Sequence, residues 1–105
     1  MKLFILIDME VKDLKEEFEG IGEVKGFKFI QKAKNDVAYL YEVHVPDVVE
    51  CHYEVFEKRI NTMFNCVSYP KANAFGVWAW CIFDYNRAVE KFKELSEEVS
   101  SKVES

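Results

Sequence analysis

With 105 residues, half of them hydrophobic and 15% aromatic, the chain has the apolar content for one core, and it lacks the length for two ordinary domains. That content excludes a disordered chain, in which aromatic and branched apolar residues are scarce. The formal net charge of −5 disfavours nonspecific binding to polyphosphate, although Lys25, Lys28, Lys32 and Lys34 follow one another with no acid between them.

Leu3 to Ile7 is a continuous apolar run, as expected of a strand buried on both faces. It is stopped by Asp8, and is too short for a signal-peptide core or a membrane span. Val11, Leu14, Phe18 and Ile21 then recur at helical spacing, with Asp8 as a possible cap and Gly20 or Gly22 as the stop. Residues 24–33 and 37–45 read as two strands, the second with a clean period of two, joined at Lys34-Asn35-Asp36. Pro46 closes this unit, since proline cannot donate to a strand ladder.

A second helix is expected from Asp47 to Phe64, where Val48, His52, Val55, Phe56, Ile60, Met63 and Phe64 fall largely on one side. Ser68 to Gly76 reads as a loop and Val77 to Phe83 as a strand with Trp78 and Trp80 on one face. Asp84 or Asn86 then caps a last helix carrying the stripe Ala88, Phe92, Leu95 and Val99, with Lys91 and Lys93 on its polar side. The expected order is β-α-β-β-α-β-α, a single α+β domain over residues 1–105. Its first six elements, about residues 2–83, resemble the ferredoxin-like fold, a four-stranded antiparallel sheet with two helices on one face, here with an added C-terminal helix. That fold hosts many functions and selects none.

Cys51, Cys66 and Cys81 are odd in number and form no C-x-x-C pair, which fits a reduced cytoplasmic setting better than a disulfide-stapled secreted one. On a helix, Cys51 and His52 would point about 100° apart, so they make a poor nucleophile–base pair and no catalytic residue is expected. Structural zinc takes four Cys or His ligands, usually in close pairs. The candidates here are spread from His44 to Cys81, so no metal site is expected either. Gly20, Gly22 and Gly26 follow an expected helix and enter a strand, the reverse of a dinucleotide fingerprint, so no cofactor is implied.

The acids of residues 8–23 alternate with lysines as a solvated helix face does. Lys25-Gly26-Phe27-Lys28-Phe29 begins like the aromatic signature of the RNA-recognition motif, then places Lys28 where a small residue belongs. Lys25, Lys28, Lys32 and Lys34 are therefore candidate nucleic-acid contacts of a basic hairpin over residues 24–34, with edge protection as the structural alternative. Phe75, Trp78, Trp80, Phe92 and Leu95 are candidates for an interaction surface, because large aromatics concentrate binding energy, or else for the core. The resulting expectation is a non-enzymatic interaction or regulatory module that self-associates or binds a protein partner, away from membranes. The alternatives are a nucleic-acid-binding accessory protein, or a ligand-binding protein or enzyme with a pocket between the sheet and the last helix.

Overall fold

In the computed structural model of the chain, residues 11–104 are described, with side chains to residue 98. Strands β1 (Glu17–Glu19), β2 (Lys28–Lys34), β3 (Ala38–His44), β4 (His52–Glu57), β5 (Ile60–Asn61), β6 (Cys66–Val67) and β7 (Ala79–Ile82) precede one long helix, α1 (Tyr85–Glu104). Five of the strands form an antiparallel sheet in the order β1-β2-β3-β4-β7, and β5 and β6 pair separately as a small hairpin. The architecture is α+β, an antiparallel sheet with a C-terminal helix.

The β2–β3 hairpin follows from its sequence. Asn35 accepts hydrogen bonds through its Oδ1 from the backbone N–H of Val37 and Ala38, both at 2.9 Å, and so closes the turn that Asn favours. Its Nδ2 donates to Ser96 Oγ at 2.7 Å, which ties the turn to α1. A bulge between Gln31 and Ala33 leaves Lys32 as the extra residue.

Both faces of the sheet are covered, by different means. On one face Ala38, Leu40 and Val55 bury against Ala88 and Leu95 of α1, with Phe92, Trp80 and Ile82 packed around them. Asp84 starts that helix: its Oδ2 accepts from the N–H of Arg87 at 2.9 Å and its carbonyl from Ala88. On the other face Phe29, Tyr39, Tyr41, Val43 and Phe56 are covered by chain without α-helix, from Val11, Leu14 and Phe18 and from Tyr69, Phe75 and Trp78. Rings do much of the packing, with Phe18 stacked on Phe29 at 4.6 Å and Phe56 stacked on both Tyr39 and Tyr41.

Three expectations are corrected. Over residues 11–21 the expected first helix is instead an extended segment ending in β1. Val11, Leu14 and Phe18 do reach the core, whereas Ile21 is exposed, because Phe18 pairs with Phe29 across a ladder and not with a helical neighbour. The expected helix over 47–64 is a loop, β4, β5 and a turn. Glu54, Val55 and Phe56 are consecutive and all buried, which only a strand covered on both faces allows, and Val48, Val49, Met63 and Phe64 are left exposed at loop tips. Without those two helices, the described residues do not form the ferredoxin-like β-α-β-β-α-β arrangement; the expected strand Leu3–Ile7 lies outside them. Finally, Trp78 and Trp80 do not share a face. A turn at Gly76 (φ 90°), whose N–H donates to the Ala79 carbonyl at 2.7 Å, breaks the alternation ahead of β7. Trp78 packs on the coil-covered face and Trp80 on the helix-covered one.

The coil layer is fastened at Asp13. Its carboxylate accepts from the Tyr39 hydroxyl, from Lys34 Nζ at 2.7 Å and from the Leu14 N–H at 2.7 Å. Partial burial alone would raise the Asp13 pKa, but the hydrogen bonds from Lys34, Tyr39 and Leu14 outweigh it and hold the group at about 2, below its ordinary 3.8. A depressed folded-state pKa contributes stability that is complete above the unfolded value and disappears as pH falls through the folded one. Asp13→Asn should therefore cost about 1 kcal/mol at neutral pH, a modest figure because the Lys34 pair is half exposed. In urea melts, the gap between wild type and variant should stay constant above about pH 4 and close towards pH 2. A gap independent of pH would show that the ionised carboxylate is not the fastening.

Candidate functional site

The polar chemistry of the described residues gathers where β3 ends and β4 begins. The register runs through Glu42 with Tyr53 to Val43 with His52, and just beyond it the side chains of His44 and Cys51 meet. Because side chains alternate along a strand, Glu42, His44, Cys51 and Tyr53 make a block of four on the face that α1 covers farther along. His44 Nε2 lies 2.6 Å from Glu42 Oε2, and Cys51 Sγ lies 3.7 Å from the Tyr53 hydroxyl. The donor atoms of Glu42, His44 and Cys51 all lie within 4.8 Å of one another, in partly buried positions. The contact with Cys51, with burial adding to it, pushes the Tyr53 phenol up to about 12. The Tyr53 and Tyr85 rings meet at 5.3 Å, and together with Val49, Glu50, Cys51 and Phe83 they line an open cleft of about 430 Å³.

His52 and Glu54 point to the opposite face. Glu54 is only 6% exposed, and its carboxylate accepts a hydrogen bond from the Tyr69 hydroxyl and lies 3.0 Å from His52 Nε2. A buried carboxylate without such partners would be costly. Burial, reinforced by the adjacent Glu54 charge, holds Tyr69 protonated. The same two causes raise the Cys81 thiol, which is therefore a poor nucleophile at neutral pH.

The residues singled out from sequence are dispersed. Leu95 is 1% exposed, and Phe75, Trp78, Trp80 and Phe92 all pack against the core. The outer faces of the two tryptophans carry cations: Arg59 lies 5.0 Å over Trp78, and Lys91 lies 4.0 Å over Trp80. Lys91 thus covers an aromatic ring in addition to meeting solvent. Lys25, Lys28, Lys32 and Lys34 are exposed but divided, since Lys34 binds Asp13 on one side of the sheet and Lys32 lies 3.9 Å from Glu42. The space between sheet and helix is filled by Leu40, Val55 and Leu95, and the cleft opens at the start of the helix instead. Cys51 and His52 do diverge, but as neighbours on a strand, with Cys51 turned towards His44. Helical spacing concealed that meeting; the alternation Glu42, His44 on β3 was the available signal for half of it.

No family model matches the sequence, and no curated protein or solved structure matches it.

The buried carboxylate gives a direct test of the second cluster. Tyr69→Phe should cost about 2 kcal/mol in chemical unfolding, since it removes a donor to a buried charge. Combined with Glu54→Gln the losses should be markedly less than additive, because both act on one bond. Additive losses would place the Tyr69 contribution in packing alone.

Proposed function

We propose that the protein is a small non-enzymatic interaction module that pairs with a second copy of itself along the outer edge of β7. The observation that carries this reading is the contrast between the two edges that the sheet has among the described residues. β1 is three residues long and presents Glu17 and Glu19, the charges that discourage edge pairing. β7 reads Ala-Trp-Cys-Ile, with no charge or proline.

Trp78 accepts from the Glu57 N–H, so Trp80 and Ile82 exchange hydrogen bonds with β4 and the alternate residues turn outward. The Ala79 carbonyl is taken by Gly76, which leaves the peptide groups of Cys81 facing the edge. Beside them lies a shallow groove of about 360 Å³ lined by Cys81, Ile82, Phe83, Asp84 and Arg87, and Phe83 is 72% exposed. Antiparallel pairing about Cys81 would satisfy both copies by symmetry and shelter Phe83. The nucleic-acid reading has less support, because Lys32 and Lys34 spend their charge on Glu42 and Asp13.

Sedimentation equilibrium over a range of concentrations tests the proposal. The wild type should show a monomer–dimer equilibrium. Phe83→Asp should weaken it by about tenfold or more, since it sets like charges together in a shielded contact. Cys81→Pro removes the outward N–H without touching a hydrogen bond to β4, and should have a similar effect with α1 and the sheet intact by circular dichroism. A chain that is monomeric at every concentration, or a dimer indifferent to both substitutions, would overturn the reading.

A further inference from the structure

We propose that Glu42, His44 and Cys51 form a three-ligand site for zinc, with the fourth coordination position opening on the cleft beside Tyr53 and Tyr85. The donor set is an imidazole nitrogen, a carboxylate oxygen and a thiol sulfur. Such a mixture suits zinc, while magnesium and calcium take oxygen ligands throughout.

The geometry is close to what the metal requires. Zinc bonds of about 2.0–2.3 Å in a tetrahedron put the donors roughly 3.3–3.8 Å apart. The three donors here lie within 4.8 Å of one another, and His44 Nε2 is already 2.6 Å from Glu42 Oε2. Binding would spread the one pair and draw in the sulfur. Glu42 and His44 stand two apart on the central strand, and Cys51 directly precedes β4, whose first residue, His52, pairs with Val43.

The surroundings fit a thiolate ligand. The Tyr53 hydroxyl, 3.7 Å from Cys51 Sγ, becomes a donor to the sulfur once the thiol proton leaves, and such outer partners orient and hold a metal ligand. Lys32 is the competing cation, at 3.9 Å from Glu42 Oε1. It is long and partly exposed, so it yields its place at little cost. Three protein ligands leave one position for water or a small ligand, the arrangement of an open zinc site and not of a closed structural one. Cys51 and Tyr53 belong to both the ligand cluster and the cleft wall, so that position is reached from the cleft.

Titration of the reduced full chain with Co²⁺, followed by Zn²⁺, tests the site. One equivalent of Co²⁺ should give a thiolate charge-transfer band in the near ultraviolet and intense visible bands of tetrahedral coordination, and one equivalent of Zn²⁺ should remove both. Cys51→Ser should abolish the charge-transfer band, whereas Cys66→Ser and Cys81→Ser should retain it. His44→Ala and Glu42→Gln should each weaken Zn²⁺ binding by about tenfold or more. Circular dichroism of each variant separates loss of a ligand from loss of fold, and the wild-type stoichiometry stands whichever variants fold. Absence of stoichiometric Co²⁺ or Zn²⁺ binding by the wild type would overturn the proposal. So would a charge-transfer band that survives in Cys51→Ser.

Discussion

Two phenol hydroxyls buried on the central strand set the terms for the rest of the molecule. Ala38, Tyr39, Leu40, Tyr41 and Val43 of β3 are all buried, so this strand has no solvent face along most of its length. Tyr39 and Tyr41 supply large surfaces to the core, yet each brings an O–H that cannot be left unpaired without a penalty of about 1–3 kcal/mol. Their partners come from the segment before β1. Tyr39 donates to Asp13 and Tyr41 donates to the Lys15 carbonyl at 2.7 Å, with Gln31 Nε2 donating to the Tyr41 oxygen at 2.8 Å. Burial pushes the Tyr41 phenol up to about 12, so both donors persist across the physiological range. A stretch of irregular chain is thereby held flat on the sheet where the sequence spacing predicts a helix. Backbone hydrogen bonds from Gln31 to Glu16 and from Val67 to Lys12 then stitch it to β2 and to the β5–β6 hairpin.

The same strand explains where the polar chemistry lies. Covered by coil at Tyr39, Tyr41 and Val43 and by α1 at Ala38 and Leu40, β3 emerges only on its helix-side face, at Glu42 and His44. There α1 has only begun, at Tyr85, so the helix-side face is left with a cleft in place of a packed layer. Cys51 enters this region because the loop from Val45 to Cys51 returns the chain opposite His44. Its turn is made by Asp47 with φ 63° following Pro46. The zinc proposal and the edge-pairing proposal rest on neighbouring surfaces that meet at Phe83, the first on the sheet face beside the cleft and the second on the outer backbone of β7.

What was legible in the sequence divides along physical lines. The β2–β3 hairpin could be read because its period of two and its Asn turn agree, and the last helix because its cap and its stripe agree. The α+β class was read from the whole expected order, and it holds on those two elements although the first two expected helices do not form. The segment from Asp47 to Phe64 could not, because its apolar residues satisfy a helical template that tertiary pairing overrides. Tyr53, Val55 and Phe56 have the bulk and branching that a strand between two covered faces takes, and that preference outweighed the spacing. The site suffered from the same error. With Cys51 assigned to a helix, nothing in the spacing from His44 could bring the two together, whereas a seven-residue reversal between adjacent strands does so at once. The aromatic run failed differently, since Gly76 resets the alternation between Trp78 and Trp80 and so sends them into separate layers.

If buried hydroxyls hold the coil layer in place, removing them should release that layer and spare the sheet. Amide hydrogen exchange on a Tyr39→Phe/Tyr41→Phe variant reads this directly at named positions. Protection should fall at Gln31 and Val67, whose N–H groups donate to Glu16 and Lys12 of the coil, while amides in the β4–β7 ladder, such as Val55, keep theirs. Unchanged protection at Gln31 and Val67, or an equal loss at all three, would contradict the account.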